Sequence, residues 1–109
     1  MQINNEITNL KDETFYNFDY IQIIEDNIRY LKNINNLTVI EIENNLNYKY
    51  EGDFYGLLEE KNIPKDYHYA CLRINDLKSS VDYKGDRDFI FIPNLSVIDS
   101  LKIKLNKKL

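Results

Sequence analysis

The chain has 109 residues, 43% of them hydrophobic, 13% aromatic and 29% charged, which fits one domain with a real core and excludes both a two-domain layout and the polar, aromatic-poor composition of disordered chains. The formal charge of −4 is unevenly placed: residues 1–99 hold 10 basic against 18 acidic side chains, and residues 100–109 add only Lys102, Lys104, Lys107 and Lys108. Nucleic-acid affinity is carried by Lys and Arg, so an acidic body with three arginines argues against direct nucleic-acid binding, and the basic end reads as a solvated terminus.

Residues 1–15 are polar and read as an N-terminal arm. Tyr20, Ile21, Ile24, Ile28 and Leu31 then recur at helical spacing, which predicts a helix over Phe18–Leu31 with Asn17 or Asp19 as its N-cap. Thr38 followed three residues later by Glu41 is a capping-box pattern, and Ile42 and Leu46 lie one turn apart. Together they predict a second helix starting near Val39, against a competing strand reading of the β-branched Thr38-Val39-Ile40-Glu41-Ile42. Gly52-Asp53 breaks that segment, and Asp53 can cap a short helix through Phe54, Leu57 and Leu58 that stops before Ile63-Pro64.

Residues 67–74 read equally as strand or helix, with Asn75-Asp76 as the turn after them. Lys84-Gly85-Asp86 is a turn leading into a strand over 88–92. The run Phe89-Ile90-Phe91-Ile92, ended by Pro93, reads as buried on both faces and as the antiparallel partner of 67–74. Ser96 and Asp99 resemble a capping pair, and Val97, Ile98, Leu101 and Leu105 continue as a helical stripe with lysines toward its end. Leu101-Lys102-Ile103-Lys104-Leu105 also alternates, so a terminal strand added to a neighbouring subunit stays open. The expected fold is a small single α+β domain over residues 16–105, with three to four short helices and a short antiparallel β-hairpin, between the arm and a basic tail at 106–109.

His68 and Cys71, three apart, can share a helical face and form the germ of a thiol nucleophile. They bring no oriented base or oxyanion hole with them, and as a zinc site they supply two ligands where three or four are needed. Asp82, Asp86 and Asp88 surround Gly85 without the spacing of a calcium loop, and read as a solvated turn. The carboxylate pairs Glu41/Glu43, Glu51/Asp53 and Glu59/Glu60 are those of any acidic helix surface. No phosphate-binding loop, dinucleotide fingerprint or serine elbow occurs. The reading is therefore of a non-enzyme with no catalytic, metal or cofactor-binding residue. Nine tyrosines remain, five of them at Tyr48, Tyr50, Tyr55, Tyr67 and Tyr69, a density above what a small core buries with every hydroxyl bonded. These five, with Phe89 and Phe91, are the expected protein interface, the alternative being plain core.

Cys71 is the single cysteine, so no intramolecular disulfide forms. Met1–Glu6 lacks a basic n-region and an apolar h-region, and no apolar run approaches the roughly 18–20 residues of a membrane span. Synthesis in the cytoplasm, without membrane insertion, is expected. Asn, Ile, Lys and Tyr make up 50 of the 109 residues, a bias toward A/T-rich codons that points to a low-GC bacterium or one of its phages, and that makes the Asn-Leu-Thr and Asn-Leu-Ser sequons chance matches.

The order of a helix, a glycine turn, a short helix carrying Tyr55-Gly56-Leu57-Leu58-Glu59-Glu60-Lys61-Asn62-Ile63, and a Gly85 turn into Phe89-Ile90-Phe91-Ile92-Pro93 resembles small tail and baseplate wedge proteins of tailed bacteriophages, which look related to LysM-like modules. In that family a Tyr-Gly element precedes a short helix ending in Asn-Ile, and a later Gly leads into a strand closed by Ile-Pro. The resemblance covers roughly residues 37–98. This chain lacks the family's tryptophans at the helix and has a longer stretch between Asn62 and Gly85. The resemblance implies a non-enzymatic virion subunit of the tail, baseplate or connector, made in the bacterial host cytoplasm and docking in multiple copies on other virion or tail proteins. It carries over no catalytic residue. The rival class is a small acidic inhibitor or immunity-type protein that blocks a basic site on an enzyme, favoured by the acidic body.

Overall fold

The computed structural model describes residues 18–108, with side chains through Lys104. The expected arm at 1–15 and the Asn17 cap lie outside the described residues. The apolar stripe of the first helix folds as expected but breaks at Asn27 into α1 (Phe18–Asp26) and α2 (Ile28–Leu31). The Asn27 side-chain amide donates back to the Ile23 carbonyl, a local bond that competes with helix continuation.

Residues 37–41 are not helical. Leu37–Glu41 is strand β1, and α3 (Asn44–Lys49) begins only afterwards. The capping-box spacing of Thr38 and Glu41 loses to β-branched side chains that find a long-range ladder partner. That partner is β2 (Phe89–Pro93), antiparallel, with Leu37 opposite Pro93, Val39 opposite Phe91 and Glu41 opposite Phe89. The two-stranded antiparallel sheet is thus present, but β2 pairs with β1 and not with residues 67–74. The latter form α5 (His68–Ile74), entered through a single 3₁₀ turn at Lys65–Tyr67.

Asp53 caps α4 (Phe54–Glu60) as read, its carboxylate accepting from the Gly56 N–H at 3.0 Å. Helices α4 and α5 both end in a left-handed residue, Asn62 (φ 66°) and Asp76 (φ 62°). After each, the next amide reaches back to close the end, Ile63 N–H to Leu58 O and Leu77 N–H to Leu72 O. The last helix, α6 (Leu95–Lys108), takes in residues 101–105 and most of the expected tail. Its first turn is capped by Asn94, whose side-chain Oδ1 accepts from the Ser96 N–H at 2.9 Å, and not by Ser96. The result is a small α+β domain with, among the described residues, four helices of seven residues or more and two shorter ones.

Among the described residues, two apolar clusters hold it together. The first joins Phe54, Leu57, Leu58, Cys71, Leu72, Tyr83, Ile90 and Ile92 from α4, α5, the loop before β2 and one face of the sheet. The second joins Tyr20, Ile24, Leu31, Ala70, Ile74, Ile98 and Leu101 from α1, α2, α5 and α6. Helix α5 belongs to both, which is why it buries apolar residues on more than one side, Ala70 and Ile74 toward one cluster and Cys71 and Leu72 toward the other, and shows no single stripe. The Tyr20 hydroxyl donates to Asp66 O at 2.7 Å, and burial raises its pKa.

Candidate interaction surface

Every second residue of an antiparallel strand turns its N–H and C=O toward the partner, and the others turn outward. Ile42 donates to Asp88 O at 2.8 Å across the sheet, so Thr38 and Ile40 face β2 while Leu37, Val39 and Glu41 face away. On β2 the same alternation turns Phe89, Phe91 and Pro93 outward. The buried Asn75, at the end of α5, meets that outer edge: its amide donates to Phe91 O at 2.8 Å and its carbonyl accepts from Phe91 N–H at 2.9 Å. The same amide also donates to Cys71 O. Asn75 therefore does for Phe91 what a third strand would do, and Pro93 presents no N–H to satisfy. On the β1 edge Leu37 N–H is taken by Ile34 O, while among the described residues nothing bonds the outward backbone of Val39 and Glu41 beyond the strand itself.

The two faces of the sheet also differ. Ile40, Ile90 and Ile92 pack on the first cluster, and at one end of the other face Leu37 and Phe91 pack on the second. The far end of that face is uncovered, with Val39 54% and Phe89 46% exposed. The expectation of a β2 buried on both faces holds for Ile90, Ile92 and Pro93 and fails at Phe89, because the second cluster reaches only part of the face. Phe89 meets Phe91 edge-on, centroids 5.5 Å apart. Glu41 stands opposite Phe89, and Asp86 and Asp88 are exposed in the connection that enters β2. Arg87, between those two, turns its guanidinium inward to Asn75 O at 2.9 Å, so this end of the sheet has an acidic rim apart from Lys84 earlier in the loop.

Of the seven expected interface residues, the fold brings Phe89 and Phe91 together with Val39, which the sequence reading did not single out. The tyrosines are distributed otherwise. Tyr48 on α3 is 85% exposed. Tyr50 donates to Glu60 Oε1 at 2.7 Å, Tyr67 to Asp99 Oδ1 at 2.8 Å and Tyr69 to Glu25 Oε2 at 2.8 Å. These three hydroxyls tie elements of the chain to one another, and the bonded carboxylates raise their pKa values, for Tyr69 to about 12 with burial as the larger cause. Arg73 joins the last of them, its Nε donating to Glu25 Oε2 at 2.7 Å and holding that carboxyl below the ordinary range. Tyr55 packs against the first cluster and stacks on His68, centroids 5.4 Å apart.

The remaining chemistry-bearing side chains are committed to packing. His68 is buried with Nε2 2.7 Å from Ile63 O, and burial lowers its pKa. Cys71 is fully buried and its thiol is pushed up to about 12, far from a thiolate at neutral pH. Asp82 accepts from the Ser79 N–H and closes a capping box, the role its spacing did not reveal. Among the described residues no three His, Cys, Asp or Glu side chains come together as metal ligands, no buried side-chain nitrogen or oxygen lacks a hydrogen bond, and no helix is long and apolar enough to cross a membrane. Comparison with known proteins finds no matching family model, no matching curated protein and no matching solved structure.

Proposed function

We propose that this chain is a non-enzymatic structural assembly subunit of a phage virion, working in the tail, baseplate or connector and docking in multiple copies on neighbouring virion proteins after synthesis in the host cytoplasm. The observation that carries the reading is the contrast between a fully bonded interior and large apolar side chains left outside. Each buried side-chain polar atom among the described residues has a partner, while Val39, Tyr48 and Phe89 stand exposed. An active site needs a reactive group held short of satisfaction, whereas a docking module needs a rigid frame with apolar anchors outside it. Elements of the tail-protein resemblance support it in part: Asn62-Ile63 follows the end of α4 and the Gly85 turn leads into β2 closed by Pro93, while Tyr55-Gly56 lies inside the first turn of α4 and not before it.

The test is sedimentation of native lysate from producing cells, the chain followed by antibody. Travel with megadalton particles is the expected result, and a low-mass position throughout overturns it. The rival reading, an acidic blocker of a basic enzyme site, has support in the exposed Glu41, Asp86 and Asp88. It predicts a low-mass complex with one enzyme that dissociates steeply with added salt, where an apolar assembly contact holds.

A further inference from the structure

We infer that the open edge of β1 is a strand-addition site, taking an extended segment of a partner in which an apolar residue and a Lys or Arg stand two positions apart with an apolar or β-branched residue between them. The inference rests on the assembly reading for the existence of a partner, and it names the surface and the chemistry of what binds there.

The backbone makes the first requirement. Val39 presents both N–H and C=O outward, flanked by Glu41 on the same edge, and among the described residues neither has a hydrogen-bonding partner there. A strand laid beside β1 would satisfy them in the way that Asn75 satisfies Phe91 on the opposite edge. The side chains make the second. An added strand sends alternate residues to the two faces of the sheet. On the face of Val39 and Phe89, a residue beside Val39 meets exposed apolar surface, and its neighbour two positions along lies beside the exposed carboxylate of Glu41. On the other face, Thr38 and Ile40 line a depression of about 300 Å³ together with Ile92, Leu95, Asn35 and Asn94. The intervening side chain reaches into it.

Charge selects among occupants. Glu41, Asp86 and Asp88 are exposed at this end of the sheet, and the arginine among them is turned inward. A second copy of this chain would bring a second acidic body to the same edge, whereas a segment with a Lys or Arg two positions from its apolar anchor complements it.

The experiment uses the full chain labelled with ¹⁵N and, as probe, the synthetic seven-residue peptide Thr-Lys-Val-Val-Val-Lys-Thr, which in either direction sets a lysine two positions from the central valine. The expected result is slowed hydrogen exchange at the Val39 and Glu41 amides on adding peptide, weakened by salt. The Val39→Pro variant, whose missing N–H lies on the outward edge and leaves the β1–β2 ladder whole, should bind about tenfold more weakly. Should that variant fail to fold, Glu41→Lys serves in its place and should likewise bind more weakly. Equal binding of the same peptide with glutamate in place of both lysines, binding without protection at Val39, or protection appearing in the protein alone as its concentration rises would each overturn the inference, the last in favour of self-pairing. Sedimentation separates this from the assembly reading. If wild type and Val39→Pro both travel with particles, the edge is wrong and assembly stands; if wild type stays at low mass, assembly fails whatever the peptide does.

Discussion

On the β2 side of the sheet the ladder is finished by a side chain from the domain's own core; on the β1 side, among the described residues, it is left open. The two strands have the same length and adjoin each other, so the difference lies in what backs them. β2 ends in a proline and lies against α5, which delivers Asn75 to both the N–H and the C=O of Phe91, the middle one of its outward-turned residues. β1 lies between a 3₁₀ turn and α3, and neither supplies such a group to Val39. An edge closed from within is a matter of stability, and one left open under exposed apolar side chains is a matter of association.

If that division is right, substitutions on the closed side should be costly and those on the open side cheap. The largest effect is expected at Asn75→Ala, which leaves both the N–H and the C=O of Phe91 without their partner. Urea denaturation should show a loss of about 3 kcal/mol with an unchanged slope, and a loss well under about 1 kcal/mol would erase the contrast between the edges. In Asn75→Asp the carboxylate lacks the donors, and burial would raise its pKa above the unfolded value, so that variant should regain stability as pH falls.

Gly85→Ala comes next. Gly85 has φ +68°, and a Cβ there would sit 2.5 Å from the Asn47 carbonyl oxygen. That contact fixes the loop feeding β2, together with the Asn47 bonds to Arg87 O and the Tyr83 hydroxyl. A cost of about 2 kcal/mol is expected in the same assay.

Smaller and pH-dependent is the contribution of His68, which α5 buries on the closed side. Its folded pKa is lowered from the ordinary 6.5, so as pH falls the unfolded chain takes the proton first. Stability is then fully present above about pH 6.5 and declines below it. His68→Gln should flatten that decline in melting temperature against pH. The smallest effect is expected for Val39→Pro, at most about 1 kcal/mol, because an outward-facing edge N–H is the one place where a strand tolerates proline.

Local signals were legible in the sequence where the partner lies within a few residues. The Asp53 cap, the stripe through Tyr20, Ile24 and Leu31, and the Gly85 turn into β2 all fold as their spacing indicates. The misreadings share a cause. Thr38-Val39-Ile40 carries a helix-start pattern and a strand composition at once, and the choice is made by Ile90 and Ile92, which are distant in the chain. Helix α5 could not be separated from a strand because both its sides are buried, and Asn75 read only as a turn residue because its role depends on Phe91. The tyrosines show a similar limit, since sequence gives their density but not the carboxylates of Glu25, Glu60 and Asp99 that bond three of them. Of the candidate surface, Phe89 and Phe91 were visible in advance and Val39 was hidden by the helical reading.

The strands that make this sheet are separated by all of residues 42–88, and that has a kinetic side. No rung of the ladder can form until the intervening chain has been drawn into a closed loop, whose entropy opposes the closure before any pairing rewards it. Helices α4 and α5, built from neighbouring residues, have no such delay. During that interval both strands, and not only the outer edge of β1, offer unpaired backbone to any extended segment nearby. Crowded synthesis is thus the moment at which this small domain is most exposed to pairing with the wrong chain, and Pro93 together with the acidic residues Glu41 and Asp88 at the strand ends stands as the guard against it.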